Sequence, residues 1–184
     1  MSDTSRDPFD ELPGGLMIWV LVVSELLVFG AGLAAFLGVR ITDPGGFATA
    51  QEALHPVRAG INTVVLVTSG LFAALATQAC TAGRTAATRG WLAAAGTLGL
   101  VFLVIKGSEF ADLAALGLST DTHAFFTFYF LLTGFHAAHV VAGVLVLALV
   151  AWRPRPAPVE AATAFWHMVD LVWVLLFPVI YLMA

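Results

Sequence analysis

Five apolar runs, each long enough to cross a lipid bilayer as an α-helix, follow one another along the chain. A span of the hydrocarbon core needs about 20 predominantly apolar residues. Residues of the hydrophobic set make up 60% of the sequence and charged residues only 11%, far from the balance of a soluble domain. The sequence therefore predicts an all-α integral membrane protein, a bundle of five transmembrane helices. We place the spans near 15–39, 60–82, 90–116, 123–151 and 163–183.

The connections between these spans are short, which leaves no room for a separate catalytic domain. We expect a cytoplasmic tail over 1–14 and a single transmembrane domain over 15–184. Proline and glycine mark the breaks: residues 43–46 open the longest connection, and residues 153–158 are expected to form a stiff turn before the last span. A net charge of -4 with eight scattered basic residues argues against binding of nucleic acid.

Basic residues predict which ends of the spans face the cytoplasm, because cytoplasmic loops carry an excess of Lys and Arg. One side holds Arg40, Arg58 and at most Lys106. The other side holds more of them: Arg6, Arg84, Arg89, Arg153 and Arg155. We therefore expect the amino terminus in the cytoplasm and the carboxyl terminus outside. Four tryptophans are expected in the headgroup layer at the cytoplasmic helix ends: Trp19, Trp91, Trp152 and Trp166.

Ionisable side chains lie within the predicted spans, where each costs at least about 2.5–3.5 kcal/mol near the bilayer centre. Glu25 stands in the middle of the first span with only Ser24 polar beside it. The later spans carry pairs spaced i,i+3, which share a helix face: Lys106 with Glu109, His136 with His139, and His167 with Asp170. We expect these faces to point into the bundle or at a partner protein.

The histidines and Asp170 permit two interpretations. Imidazole is the commonest metal ligand, so one interpretation is a metal or haem site and a small membrane metalloprotein. The expected depths argue against it, since His139 would lie about 18 Å from the cytoplasmic edge and His167 only about 6 Å. We favour hydrogen bonds between helices, with no metal and no haem held by this chain.

Glu25 also has two interpretations. A proton-coupled carrier could be built around Glu25 and Asp170, but a carrier normally needs a chain of such groups. We expect a static Glu25 that is protonated or hydrogen-bonded. Lys106 and Glu109, near the outer end of their span, are expected to form an ordinary ion pair with a snorkelling lysine. Asn62 is expected to cap its helix and to bond a neighbouring helix.

Five motifs, one on each predicted span, resemble subunit III of the haem-copper oxidases. In order they are SE at 24–25, INT at 61–63, KGSEF at 106–110, TGFHAAHV at 133–140 and FWHMVDLVW at 165–173. Ala137, Phe165 and Met168 stand where the family usually has glycine, tyrosine and phenylalanine, and these changes keep the polar positions. The chain resembles the short five-helix members, which lack two further amino-terminal helices. Its helix endings look most like the branch associated with nitric oxide reductases (NorE-like).

The resemblance implies a subunit with no catalytic residue or redox centre, in a bacterial inner (cytoplasmic) membrane. It would pack beside the catalytic haem-copper subunit I and other respiratory complex subunits, with haem and copper or iron in the partner. It would also bind phospholipid and help to sustain proton-coupled turnover, with oxygen or nitric oxide as the partner's substrate. The residues expected to contact other helices, lipid or a partner are Glu25, Asn62, Lys106, Glu109, His136, His139, Trp166, His167 and Asp170.

Overall fold

A computed structural model describes residues 15–183, and all regular structure within them is helical. The long helices are apolar enough to cross a membrane, which confirms the predicted fold class of a multi-pass bundle with five spans. The predicted tail over 1–14 lies outside the described residues, and the single domain over 15–184 stays a prediction. The helices are α1 (Leu16–Thr42), α2 (Pro44–Gln51), α3 (Pro56–Thr81), α4 (Thr85–Ala115), α5 (Ala124–Trp152) and α6 (Pro156–Phe177), followed by a π-helical turn (Pro178–Leu182).

Four of the long helices form a ring. Helix α3 packs along α4, α4 along α5, α5 along α6, and α6 back against α3. Helix α1 lies outside this ring against α5 and α6, and it is the least buried of the five spans. Helix α6 is the most buried span, and its Trp166 and Trp173 are among the largest fully buried side chains. The ring therefore encloses most of the core, to which α6 contributes its two large indoles.

Helix α6 begins at Pro156 instead of near 163, so the stiff turn predicted for 153–158 is wrong in its second half. Proline is tolerated in a first helical turn because the N–H groups there have no intrahelical acceptor. Arg89 of α4 binds the carboxyl-terminal end of α5. It donates from Nε to Ala151 O at 3.1 Å and from Nη2 to Trp152 O at 2.9 Å. The earlier start places Trp166, His167 and Asp170 roughly 15 to 21 Å along the helix.

The longest connection contains the short helix α2. Asp43 caps it, since Asp43 Oδ1 accepts a 3.0 Å hydrogen bond from the Gly46 N–H. Phe47 of α2 is buried edge-on against Phe36 of α1 and Phe125 of α5. These aromatic contacts hold the connection against the ends of α1 and α5.

His123 joins the same connection to the start of α5. His123 Nδ1 accepts from the Phe125 N–H at 3.1 Å, so the proton is on Nε2, which lies 3.1 Å from Asp43 Oδ2. The hydrogen bond from His123, together with the one from Gly46, holds the pKa of Asp43 below its usual value of 3.8. Asp43 therefore acts as an ionised cap at this end of the bundle.

Candidate functional site

The polar residues singled out in the sequence fall into separate groups. Within residues 15–183, no three His, Cys, Asp or Glu side chains come together in a way that could hold a metal ion. The expectation that this chain binds no metal and no haem stays a prediction. The groups are the Glu25–His139 pair, the buried His136 and Asn62, the Lys106–Glu109 pair, Trp166, and the His167–Asp170 pair.

Glu25 of α1 and His139 of α5 face each other across the interface of their helices. Glu25 Oε2 lies 3.1 Å from His139 Nε2, and both side chains are largely buried. His139 Nδ1 lies 2.9 Å from the Phe135 carbonyl oxygen, which can only accept, so Nδ1 carries a proton. One further proton between Glu25 and Nε2 then makes the pair neutral, whichever group holds it. Neutrality lowers the cost of placing both groups in a membrane.

His136 is fully buried and differs from His139 in its contacts. Neither of its ring nitrogens has a hydrogen-bond partner within the described residues. Its ring stacks on Trp173, with centroids 5.2 Å apart, and meets Phe102 edge-on at 5.5 Å. The two histidines of the α5 motif therefore do different things: His139 binds α1, and His136 packs in the aromatic core.

Asn62 joins α3 to α4 and does not cap a helix. Because α3 begins at Pro56, Asn62 lies inside the helix, and the predicted cap is wrong. The buried Asn62 Nδ2 donates a 3.2 Å hydrogen bond to the Phe102 carbonyl oxygen, as expected for an interhelical bond. The next residue, Thr63, accepts a 2.9 Å bond from Trp173 Nε1, which joins α3 to α6 at the same level.

Lys106 and Glu109 form an ion pair in the core, and the predicted snorkelling of the lysine is wrong. Lys106 is 2% exposed, and its Nζ lies 3.0 Å from Glu109 Oε2 and 2.9 Å from the Tyr129 hydroxyl. Tyr181 accepts a further hydrogen bond from Nζ and donates one of 2.9 Å to Glu109 Oε1. The π-helical turn carries Tyr181 to this position. Three oxygen acceptors thus replace the water that a snorkelling lysine would seek.

Aromatic rings complete the surroundings of the ammonium group. Ring faces attract a cation within about 6 Å of the centroid, and more strongly where water is excluded. Centroids of four rings lie 4.6 to 5.3 Å from Lys106 Nζ: Phe110, Tyr129, Trp173 and Tyr181. A cation enclosed in this way can remain in the core.

Trp166 lies at the centre of the ring of helices, so its predicted place in the headgroup layer is wrong. Its indole fills the space beside Gly99 of α4 and Gly143 of α5. A Cβ added at these glycines would come within 2.6 and 2.5 Å of the indole, respectively. Its Nε1 donates a 3.0 Å hydrogen bond to Ser69 Oγ of α3, which in turn donates to the Ala95 carbonyl oxygen. Trp166 thus contacts the three other helices of the ring.

His167 and Asp170 lie halfway along α6, beside α3. His167 Nδ1 is 3.9 Å from Asp170 Oδ2, which is longer than a hydrogen bond. The Asp170 carboxyl lies directly against Gly70 of α3, where a Cβ would collide with it. Asp170 Oδ1 has no hydrogen-bond partner within the described residues. Asp170 is buried, whereas the His167 side chain is 47% exposed on the outer surface.

Sequence reasoning missed Ser69, Tyr129 and Tyr181. The two tyrosines are the only ones in the chain, and both lie in predicted spans. A buried tyrosine hydroxyl needs a partner, so this scarcity could have pointed to Lys106 and Glu109. Ser69 gave no comparable signal, because an isolated serine in an apolar helix usually bonds its own backbone.

Known proteins match this chain along most of its length. The profile of a family described as cytochrome c oxidase subunit III matches residues 11–184. The chain is 31% identical to cytochrome c oxidase subunit 3 of Corynebacterium diphtheriae, over 88% of this chain and 84% of that protein. It is 30% identical to cytochrome c oxidase subunit 3 of Thermostichus vulcanus, over 91% and 86%. It is also 30% identical to heme-copper oxidase subunit I+III of Aeropyrum pernix, over 90% of this chain and 22% of that protein. The resemblance is confirmed, and the chain belongs to the cytochrome c oxidase subunit III family.

Proposed function

We propose that this chain is an accessory subunit of a haem-copper oxidase and packs beside the catalytic subunit I in a bacterial cytoplasmic membrane. The observation that carries the proposal is the relative from Aeropyrum pernix, whose name joins subunit I and subunit III in one protein and of which this chain covers 22%. A region of this family shares a polypeptide with subunit I in that protein. The same neighbour is therefore expected for the separate chain.

The use of the polar side chains supports a role without redox chemistry. Glu25 is paired with His139 between two helices, and Lys106 is paired with Glu109 along one helix. Trp166 and Asn62 donate hydrogen bonds to neighbouring helices. The haem and the copper or iron are accordingly assigned to the partner. In this proposal the chain keeps the flank of the catalytic subunit stable and so sustains proton-coupled turnover there.

Phospholipid is the second proposed ligand, and two apolar grooves beside α1 support it. One groove of about 260 Å³ is lined by side chains that include Phe29 and Phe135, and another of about 270 Å³ is lined by side chains that include Phe165. The His139 ring contacts all three of these phenylalanines, so the Glu25–His139 pair lies between the grooves. Grooves of this composition suit acyl chains.

The membrane orientation and the partner's substrate belong to the proposal as well. The amino terminus is placed in the cytoplasm because the helix ends on that side carry more arginine. Oxygen is the proposed substrate of the complex, since the matched relatives are named as oxidase subunits. The NorE-like branch, with nitric oxide as substrate, stays a prediction.

Purification through a tag on this chain tests the proposal. In mild detergent the chain should bring down a complex that contains haem and consumes oxygen, with the haem and metal on another polypeptide. Deletion of the chain should lower sustained turnover and leave the haem spectrum unchanged. Recovery of the chain alone, from native membranes and under several detergents, would contradict the accessory role. Consumption of nitric oxide in place of oxygen would support the NorE-like alternative.

A further inference from the structure

An exposed stripe on α6 and the neighbouring part of α3 form one surface, which we call the His167 face. His167, Leu171 and Val174 are spaced i, i+4 and i+7, so they lie along one side of α6. Val67 and Leu71 of α3 flank Gly70, which contacts Asp170. The four apolar residues are 42 to 57% exposed. The His167 face is thus an apolar surface with an imidazole in its middle.

The depth of this imidazole disfavours contact with lipid. His167 lies about 16 Å along α6 from Pro156, and Gly70 about 21 Å along α3 from Pro56, so both are near the middle of their helices. Polar headgroups do not reach this depth. An imidazole that faces hydrocarbon there leaves its N–H and its second ring nitrogen without hydrogen bonds, which is costly in a membrane. Such a side chain requires cover by protein.

The hydrogen-bonding capacity of the pair is also unused. His167 makes no hydrogen bond within the described residues, and its Nδ1 is 3.9 Å from Asp170 Oδ2. Asp170 Oδ1 is likewise without a donor there. A donor that meets His167 Nε2 would satisfy that nitrogen and fix the imidazole proton on Nδ1, the ring nitrogen that faces Asp170. Glu25 and His139 lie closer together, with Oε2 3.1 Å from Nε2, and both side chains are largely buried, whereas His167 is exposed.

We propose that the His167 face is the surface on which a transmembrane helix of the catalytic subunit docks, with an N–H or O–H donor side chain presented to His167. This inference rests on the proposed function, since it takes the catalytic subunit as the occupant. The exposed valines and leucines supply the apolar contact around the polar one. The contact fixes the depth at which the two proteins meet, because displacement of the partner helix by one turn leaves His167 unpaired again.

Photocrosslinking in native membranes tests the location. A benzoylphenylalanine placed at Leu71 or Leu171 should form an adduct with the haem-containing subunit, identified by its mass. Leu100 of α4 and Leu145 of α5 are matched controls, because they are similarly exposed on the other side of the ring. These controls should give no such adduct. An adduct between two copies of this chain from Leu71 or Leu171 would overturn the inference.

Substitution of the imidazole tests the polar contact. In His167→Leu the chain stays apolar and inserted, but haem recovered per tagged chain should fall about threefold, the size of one interhelical hydrogen bond. His167→Gln keeps an N–H and a carbonyl and should restore most of the recovery. Equal recovery from wild type and His167→Leu would overturn the inference.

The two proposals fail differently. If the wild-type chain brings down the oxidase but only Leu100 or Leu145 crosslinks to it, the docking surface is wrong and the accessory role stands. If the wild-type chain brings down no haem protein, both proposals are wrong.

Discussion

Glu25 of α1 lies against His139 of α5, with Oε2 3.1 Å from Nε2. Helix α1 is the least buried span and lies outside the ring of the other four. The pair is therefore a polar contact between the ring and its most loosely packed helix. In lipid the carboxyl and the imidazole have few other polar partners within reach. The pair therefore sets the position of α1 relative to α5.

Loss of this contact should loosen α1. In Glu25→Leu, Nε2 of His139 is left buried without a partner, which costs about 1–3 kcal/mol. Glu25→Gln should keep most of the stability, because the amide N–H can donate to Nε2. The measurement is heat-induced aggregation of the chain in native membranes, together with the amount of assembled complex.

The double variant Glu25→Leu/His139→Leu is the control, since removal of both partners should recover part of the loss. A Glu25→Gln variant as unstable as Glu25→Leu would contradict a stabilising polar contact between the two side chains. If Glu25→Gln abolished proton movement in a fully assembled complex, Glu25 would be a proton relay and our interpretation would be wrong.

The five spans could be predicted because length and apolar composition alone define them. The Glu25–His139 pair could not, since which residues meet depends on the relative depth and rotation of two helices. Trp166 shows how such an error arises: residues 156–162 include two prolines and a glutamate, which favour a start near 163, although the helix begins at Pro156. A start near 163 would place Trp166 in the headgroup layer, whereas the start at Pro156 places it in the core.

Lys106 shows a different limit. Its distance from the helix end permitted snorkelling, and the sequence does not reveal that Tyr129 and Tyr181 converge on it from two other segments. Those contacts are made 23 and 75 residues away along the chain. Contacts of this kind come from tertiary packing, which local pattern does not report.

Gly143 should be required for the packing of Trp166. In Gly143→Ala the new Cβ lies 2.5 Å from the indole, so the ring or α5 must shift, at a cost of about 1–3 kcal/mol. The stability of the purified chain against unfolding by denaturing detergent measures this effect. Gly134→Ala on the same helix is the matched control, because nothing lies within 4 Å of the added Cβ. It should be neutral or slightly stabilising. Equal destabilisation by both substitutions would show that the close approach to Trp166 is unimportant.

The buried lysine should be more costly to remove alone than with its partner. Lys106→Met leaves Glu109 without its counter-charge in the core, and removal of one member of a buried ion pair costs about 3–5 kcal/mol. In Lys106→Met/Glu109→Leu no charge remains, so the double variant should be more stable than Lys106→Met. The same unfolding assay gives the coupling energy between the two residues. Additive effects of the single substitutions would show that Lys106 and Glu109 do not stabilise each other.

The two ends of the bundle differ in the number of arginines that they carry. Arg84 and Arg89 lie at the start of α4, and the α5–α6 connection at the same end of the bundle carries Arg153 and Arg155, as the bonds from Arg89 to the end of α5 show. The opposite end carries Arg40 and Arg58, and the buried Lys106 contributes no loop charge.

This excess predicts that the arginine-rich end faces the cytoplasm. Fusions of a fluorescent reporter that folds only in the cytoplasm should therefore be bright after Arg84 and Arg153. Fusions after Glu52 and Ser119, which lie in connections at the opposite end, should be dark with this reporter and active with a periplasmic phosphatase. The four positions form two matched pairs, so poor expression of one fusion cannot be mistaken for a reversed orientation. Dark fusions after Arg84 and Arg153 with bright ones after Glu52 and Ser119 would reverse the orientation and place the amino terminus outside.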